Sequence, residues 1–188
     1  MKKSAIYPLK LVAALAMLSA ISIICGKYLA IRGGDILRFS FENLPIIFAG
    51  IAFGPVSGVL VGVVADLVGC VMVGYTINPI VTLGAAVIGA VAGICRILLR
   101  KVGINGAFST VICVGAAHIL GSVIVKTFGL AAFYDMPLFA LMLWRLLNYV
   151  IVGAIEGALL VVLLKNREVT RLIAGMRPQA KERNVEHK

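Results

Sequence analysis

Arg145 and Glu156 share the apolar stretch LFALMLWRLLNYVIVGAIEGALLVVLL, 11 positions apart. At about 100° per residue that is three turns plus about 20°, so a helix projects both from one face. Asn148, Tyr149 and Val152 fall on or near the same stripe. The axial gap of roughly 16 Å is too long for a direct ion pair. Arg145 therefore reads as a contact for a ligand carboxylate or ring, or as an arginine snorkelling to the interface. Glu156 reads as structural, paired through a neighbour or a partner subunit. Asp66 is the only charge between Asn43 and Cys95. A lone carboxylate there must be paired, protonated or solvated, which fits either a ligand or gating contact or a cap to a nearby Ser, Thr or backbone group.

More cations and rings gather where the apolar runs end. Arg32, Arg38, Phe39 and Phe41 belong to one such segment, Tyr75, Thr76 and Asn78 to a second, and Phe133, Tyr134 and Trp144 to a third. Cations satisfy carboxylates and aromatic faces stack on planar rings. Tyr and Trp also anchor helix ends at a membrane surface. The expected binding set is Arg32, Arg38, Phe41, Asp66, Tyr75, Asn78, Tyr134, Trp144, Arg145 and Asn148, suited to a flat or anionic nutrient. A catalytic centre is not expected, because Asp66, His118 and Glu156 fall on three different helices. Nor is a metal centre: Cys25, Cys70, Cys95 and Cys113 show no Cys-x-x-Cys spacing and the two histidines are far apart. No phosphate-binding Gly-x-x-x-x-Gly-Lys-Ser/Thr loop occurs, so ATP hydrolysis is not expected of this chain.

The elements that must position these residues are membrane helices. Of the residues 61% are hydrophobic and 14% charged, and the apolar residues form long runs without period-two alternation. In hydrocarbon such runs must be helical, since unpaired backbone groups cost several kcal/mol each. An all-α integral membrane protein is expected, with six transmembrane helices over 9–30, 39–53, 56–73, 79–99, 107–127 and 138–164. Residues 1–165 form one membrane domain. The basic tail 166–188 is expected as a helical extension or disordered. Lys2, Lys3, Lys10, Arg96, Arg100, Lys101 and the cations from Lys165 onward all flank one side, which places both termini in the cytoplasm. Lys27, Arg32, Arg38, Lys126 and Arg145 lie near the opposite helix ends. The net charge of +10 is then a topology signal, with no groove-like basic cluster for nucleic acid. The opening Lys-Lys and apolar run resembles a cleavable leader, but the run is long enough to span and its loss would leave an odd number of crossings.

Small residues recur at a spacing of four: Gly50, Gly54, Gly58 and Gly62, then Gly89 and Gly93, and Ala16 with Ala20 in the first helix. Such spacing lets membrane helices approach closely.

The strings LRFSFENLPIIFAGIAFGP, GVLVGVVADLVG and GYTINPIVTLGAAVIGAVAG resemble the S components, the vitamin-capturing subunits of energy-coupling factor (ECF) transporters, of the folate-type family. The resemblance covers about residues 10–164, and Asp66 matches the Ala-Asp-Leu signature. It implies a multi-pass protein of the cell membrane that binds a vitamin outside. It also implies docking on a transmembrane coupling subunit carrying two ATPases, which use the ATP, and toppling in the bilayer to release cargo. Ala16 and Ala20 would belong to the docking face, and no cofactor is implied in this chain. Folate, with its flat pterin and anionic glutamate, is the expected substrate. The loop 74–79 is shorter than the family's aromatic, proline-rich one, which leaves open a queuosine precursor, pantothenate or riboflavin. A stand-alone carrier is disfavoured, because the inner half is nearly free of polar residues.

Overall fold

The computed structural model describes residues 9–33, 37–135 and 137–176. The chain folds as a helical bundle with five helices long and apolar enough to cross a membrane among those residues. Helix α1 (Leu9–Ile23) continues through a π-helical turn to Tyr28. A two-stranded ribbon follows, β1 (Ile31–Gly33) antiparallel to β2 (Leu37–Phe39), with Arg32 opposite Arg38. Next come α2 (Asn43–Phe53), α3 (Pro55–Val73) and α4 (Pro79–Lys101). Helix α5 (Gly106–Ala117), a π segment (His118–Val125) and α6 (Lys126–Tyr134) form one continuous rod. The bundle ends with α7 (Leu138–Lys165) and a short α8 (Arg167–Met176).

The expected second span is the element that differs most. Helix α2 has 11 residues, about 16 Å of rise against the ~30 Å of a hydrocarbon core. It starts at Asn43 rather than at residue 39, because Leu37–Phe39 pair as a strand. What α2 lacks in length it makes up in burial: Pro45, Ile46, Ile47, Ala49, Gly50, Ile51 and Ala52 are all buried. It is the axle of the bundle, with Leu11 and Leu15 of α1, Val61 of α3, Ile88 and Ala92 of α4, Cys113 and Val114 of α5 and Leu160 of α7 packed around it.

Glycine sets how tightly α2, α3 and α4 meet. A Cβ on Gly58 would sit 2.6 Å from the Gly89 carbonyl oxygen, and one on Gly50 would sit 2.5 Å from the same atom. Real side chains do not approach backbone so closely, so these helices touch main chain to main chain, as small residues permit in membranes. Gly54 links α2 to α3 at φ +102°, a conformation that L side chains rarely adopt. Pro55 then opens α3 where its missing N–H costs nothing. The hinge seats against the far end of α4, where a Cβ on Gly93 would come within 2.5 Å of the Pro55 nitrogen. Helix α2 thus runs from the last turns of α1 to the level of the C-terminal ends of α4 and α7.

The other boundaries fall close to expectation. The fifth span is longer than the expected 107–127, running on through Lys126 and Thr127, both buried inside the bundle, to Tyr134. The expected tail begins as α8; residues 177–188 lie outside the described residues.

Candidate functional site

Charged side chains converge on one cavity between the end of α1, the start of α2, the middle of α3 and α4, and the start of α6. Lys27, Glu42, Asp66 and Lys126 line it, with Ser22, Gly26, Gly62, Ala65 and Ala85, around a space of about 20 Å³. Charge inside a membrane bundle is costly unless paired or facing a polar cavity, and here both conditions occur.

Lys126 and Glu42 are the paired half. Lys126 is 4% exposed; its Nζ lies 3.0 Å from Glu42 Oε1 and 3.4 Å from Asn43 Oδ1. Ser22 donates a 2.6 Å bond to the Glu42 carbonyl and so ties α1 to the entry of α2. Asp66 and Lys27 are the uncommitted half. Asp66 Oδ2 accepts a 2.6 Å bond from the Thr82 hydroxyl. Among the described residues no cation is paired with it. Lys27 Nζ lies 3.8 Å from Cys70 Sγ and 5.5 Å from the centre of the Tyr75 ring, and likewise has no carboxylate partner among the described residues. Among the described residues this places an ammonium and a carboxylate without ionic partners beside a pre-formed ion pair, groups that can meet a molecule's anionic and hydrogen-bond-donating parts.

Glycines make the room. A Cβ on Gly26 would fall 2.7 Å from Glu42 Oε2, one on Gly69 2.8 Å from Lys27 Cε, and one on Gly84 2.5 Å from Lys126 Cγ. Glu42, Lys27 and Lys126 each lie over a glycine of a neighbouring helix.

A second polar layer backs the cavity. Asn43 Nδ2 donates to Ser122 Oγ at 3.3 Å, and the same oxygen is 3.3 Å from His118 Nδ1. His118 Nε2 lies 2.7 Å from Glu156 Oε2, both side chains buried, and the ring stacks on Tyr149 with centroids 4.9 Å apart. Arg145 donates to the Ser122 carbonyl from Nε at 3.3 Å and Nη2 at 3.1 Å, with its guanidinium over Tyr149. That carbonyl belongs to the π segment and also accepts a bond from the Thr127 hydroxyl at 3.4 Å.

Of the expected binding residues, Asp66 lines the cavity and Tyr75 stands at its rim over Lys27. Phe41 is half-buried in the link that precedes Glu42. Arg145 and buried Asn148 belong to the second layer on α7. Arg145 and Glu156 share a stripe, bridged through Ser122 and His118. Asn78 is committed elsewhere: its Oδ1 accepts from the amides of Ile80 and Val81, capping α4, and its Nδ2 donates to the Gly129 carbonyl at 2.9 Å. Trp144 is 45% exposed on the outer face of α7. Arg32 and Arg38 face each other in the ribbon backbone and Tyr134 ends α6, but their side chains lie outside the described residues. Ala16 and Ala20 are exposed on α1, on the side away from buried Leu15, Ser19 and Ser22.

Sequence reasoning missed Lys27, Glu42 and Lys126 as lining residues. Lys27 and Lys126 were placed in the sequence only as cations near the helix ends opposite the other basic residues, and Glu42 carried no signal of its own.

The family model for the ECF transporter, substrate-specific component, matches residues 10–165. Three solved structures share the fold. The crystal structure of FolT bound with folic acid is 24% identical, covering 81% of this chain and 91% of that one, with a TM-score of 0.65. An S component for biotin from an ECF-type ABC transporter is 21% identical over 87% of this chain and 90% of that one, TM-score 0.63. The S component of a bacterial ECF transporter is 19% identical over 90% and 98%, TM-score 0.62. No curated protein sequence matches the chain. With five long apolar helices, the charged interior cavity and a family match over nearly the whole bundle, this multi-pass membrane protein belongs to the substrate-specific components of ECF transporters.

Proposed function

We propose that the chain captures folate at the outer face of the cell membrane and delivers it by docking on an ATP-driven ECF module, without catalysing a reaction itself. The observation that carries this reading is the pairing of an uncommitted ammonium, Lys27, with an uncommitted carboxylate, Asp66, in one interior cavity. A folate presents matching groups: a pterin edge that donates to a carboxylate and a glutamate tail whose carboxylates take an ammonium. Tyr75 over Lys27 adds a ring at the rim. The likeness to FolT bound with folic acid supports folate as the first candidate. The closed cavity offers about 20 Å³, room for about one water, so in this reading it marks where the charged groups meet a folate and widens as the ligand enters.

Six crossings with cytoplasmic termini fit this reading. Helix α2 and the ribbon before it together make the second crossing, since the hinge at Gly54 reaches the level of Arg96 and Arg100. Those arginines and the basic tail then face the cytoplasm. Lys27 and Lys126 lie toward the outside, as a capture site requires. Docking on the coupling subunit uses the outward face of α1 with Ala16 and Ala20, and the two ATPases of the module supply the energy.

The test is mass spectrometry of small molecules released by denaturing the gently purified protein, followed by equilibrium dialysis of the emptied protein with folate. Near one-to-one recovery and saturable rebinding establish folate capture. Recovery of biotin, riboflavin, pantothenate or a queuosine precursor replaces the substrate within the same reading. Uptake without the ATPase module would overturn it in favour of a stand-alone carrier.

A further inference from the structure

At the other end of the bundle from the charged cavity, the C-terminal ends of α2, α4 and α7 meet beside α8 in a second groove. It offers about 290 Å³ and is walled by Ile51 and Ala52, Arg96 and Arg100, Leu164, and Ile173 of α8, close to the lower end of the size range of ligand sites. Arg96 and Arg100 are one helical turn apart, so both point into the groove from one face of α4. Arg96 is half-buried and aimed by a 2.7 Å bond from Nη1 to Ser109 Oγ, itself fully buried. Among the described residues neither arginine has a carboxylate partner. The nearby acid of α8, Glu168, is paired with Arg171 at 2.9 Å on the exposed side. The Thr170 hydroxyl is engaged by the carbonyls of Leu164 and Asn166. Among the described residues the groove therefore holds positive charge from two guanidinium groups, with no carboxylate paired to either, beside an apolar wall.

Topology alone explains why cations flank a helix end; it does not explain a groove formed around them. Helix α8 closes its side by turning at Asn166 and burying Ile173 against the bundle instead of prolonging α7. A guanidinium binds two oxygens of a phosphate at once, and basic pockets between membrane helices suit anionic lipid headgroups.

We propose that this groove binds the headgroup of an anionic phospholipid, its phosphodiester on Arg96 and Arg100 and its glycerol and first acyl carbons against Ile51, Leu164 and Ile173. The bound lipid ties the ends of α2, α4, α7 and α8 together at the membrane surface. The proposal is independent of which nutrient the chain captures.

Native mass spectrometry of the delipidated full chain, titrated with phosphatidylglycerol, tests it, with phosphatidylcholine and inorganic phosphate as comparison ligands. The wild type should retain one phosphatidylglycerol and bind it about thirtyfold more tightly than Arg96→Gln/Arg100→Gln, given about one order of electrostatic effect per pair of surface charges or more. Arg100→Gln alone, at an exposed position, should lose about fivefold, and decides the matter if the double variant does not fold. Lys101→Gln, exposed and outside the groove, should bind as the wild type does. Equal retention of phosphatidylcholine, or equal loss in Lys101→Gln and Arg100→Gln, would overturn the proposal. So would inorganic phosphate raising Tm where phosphatidylglycerol does not, which would make the groove a site for a soluble anion.

Discussion

An ammonium inside a membrane bundle persists only beside compensating charge or in a polar cavity, and the two interior lysines divide along that line. Lys126 has Glu42 at 3.0 Å, and removing it takes the close ammonium from a mostly buried carboxylate. Lys126→Met should therefore destabilise the protein by about 2–3 kcal/mol, at the lower end for a buried pair because Glu42 keeps some exposure. Adding Glu42→Gln should return at least half of the loss. Thermal unfolding in detergent reads both, and a double variant no more stable than Lys126→Met would place the cost elsewhere than in the pair. Lys27 has no such partner among the described residues, so Lys27→Gln should leave Tm nearly unchanged while weakening folate binding about tenfold or more by dialysis. Unchanged affinity would remove Lys27 from the site. Of these charges only Asp66 was legible as a lining residue in the sequence, because it is the lone charge in a long apolar run. Glu42 and Lys126 are 84 positions apart, and nothing local in either segment announces the other. Asn78 shows the converse: a polar residue at the mouth of a helix looks available for a ligand until its cap and its bond to Gly129 are seen.

Helix existence followed from hydropathy, and five of the six expected spans begin within about a residue of the observed ones. The exceptions have physical causes. Helix α2 is short because the residues before Asn43 pair as a strand, and short apolar runs carry no period that separates strand from helix. The π segment His118–Val125 left no mark, since the choice between i→i−4 and i→i−5 bonds is made by packing and not by composition. The run of glycines was read as a packing face, and the contact of Gly58 with Gly89 is its result. At this scale Gly58→Leu should be more disruptive than any single surface change. A side chain there meets the backbone of α4, which cannot move aside as a flexible side chain would, so the cost should exceed the ~1–3 kcal/mol of ordinary overpacking. Gly115→Leu, on α5 with nothing within 4 Å of a Cβ, is the matched control. Gel-filtration profiles of detergent extracts should show aggregation or loss of the first and a single peak for the second. Equal behaviour would mean that α3 and α4 are not held at the distance their glycines set.

For the whole molecule, the proposed capture and delivery need two faces that do not interfere, and α1 offers a candidate for each. Ser22, Ile23, Gly26 and Lys27 line the cavity from its C-terminal part, while Leu11, Leu15 and Ser19 are buried against the bundle. Val12, Ala16, Met17 and Ala20 face outward, so the small residues interrupt an otherwise bulky apolar surface. A shallow place on a lipid-facing helix lets a partner helix approach closely without a hydrophobic driving force. Ala16→Trp fills it. Because residue 16 points away from the cavity, folate affinity should stay within about twofold of the wild type, and vesicles holding the variant with its ECF module should lose ATP-dependent uptake. Ile119→Trp, exposed on another side of the bundle, should support uptake normally. Normal transport by Ala16→Trp would move the docking face off this part of α1. Loss of folate binding as well would show that the two faces of α1 are coupled through the helix, so that a partner seated on Ala16 and Ala20 acts directly on the cavity behind them.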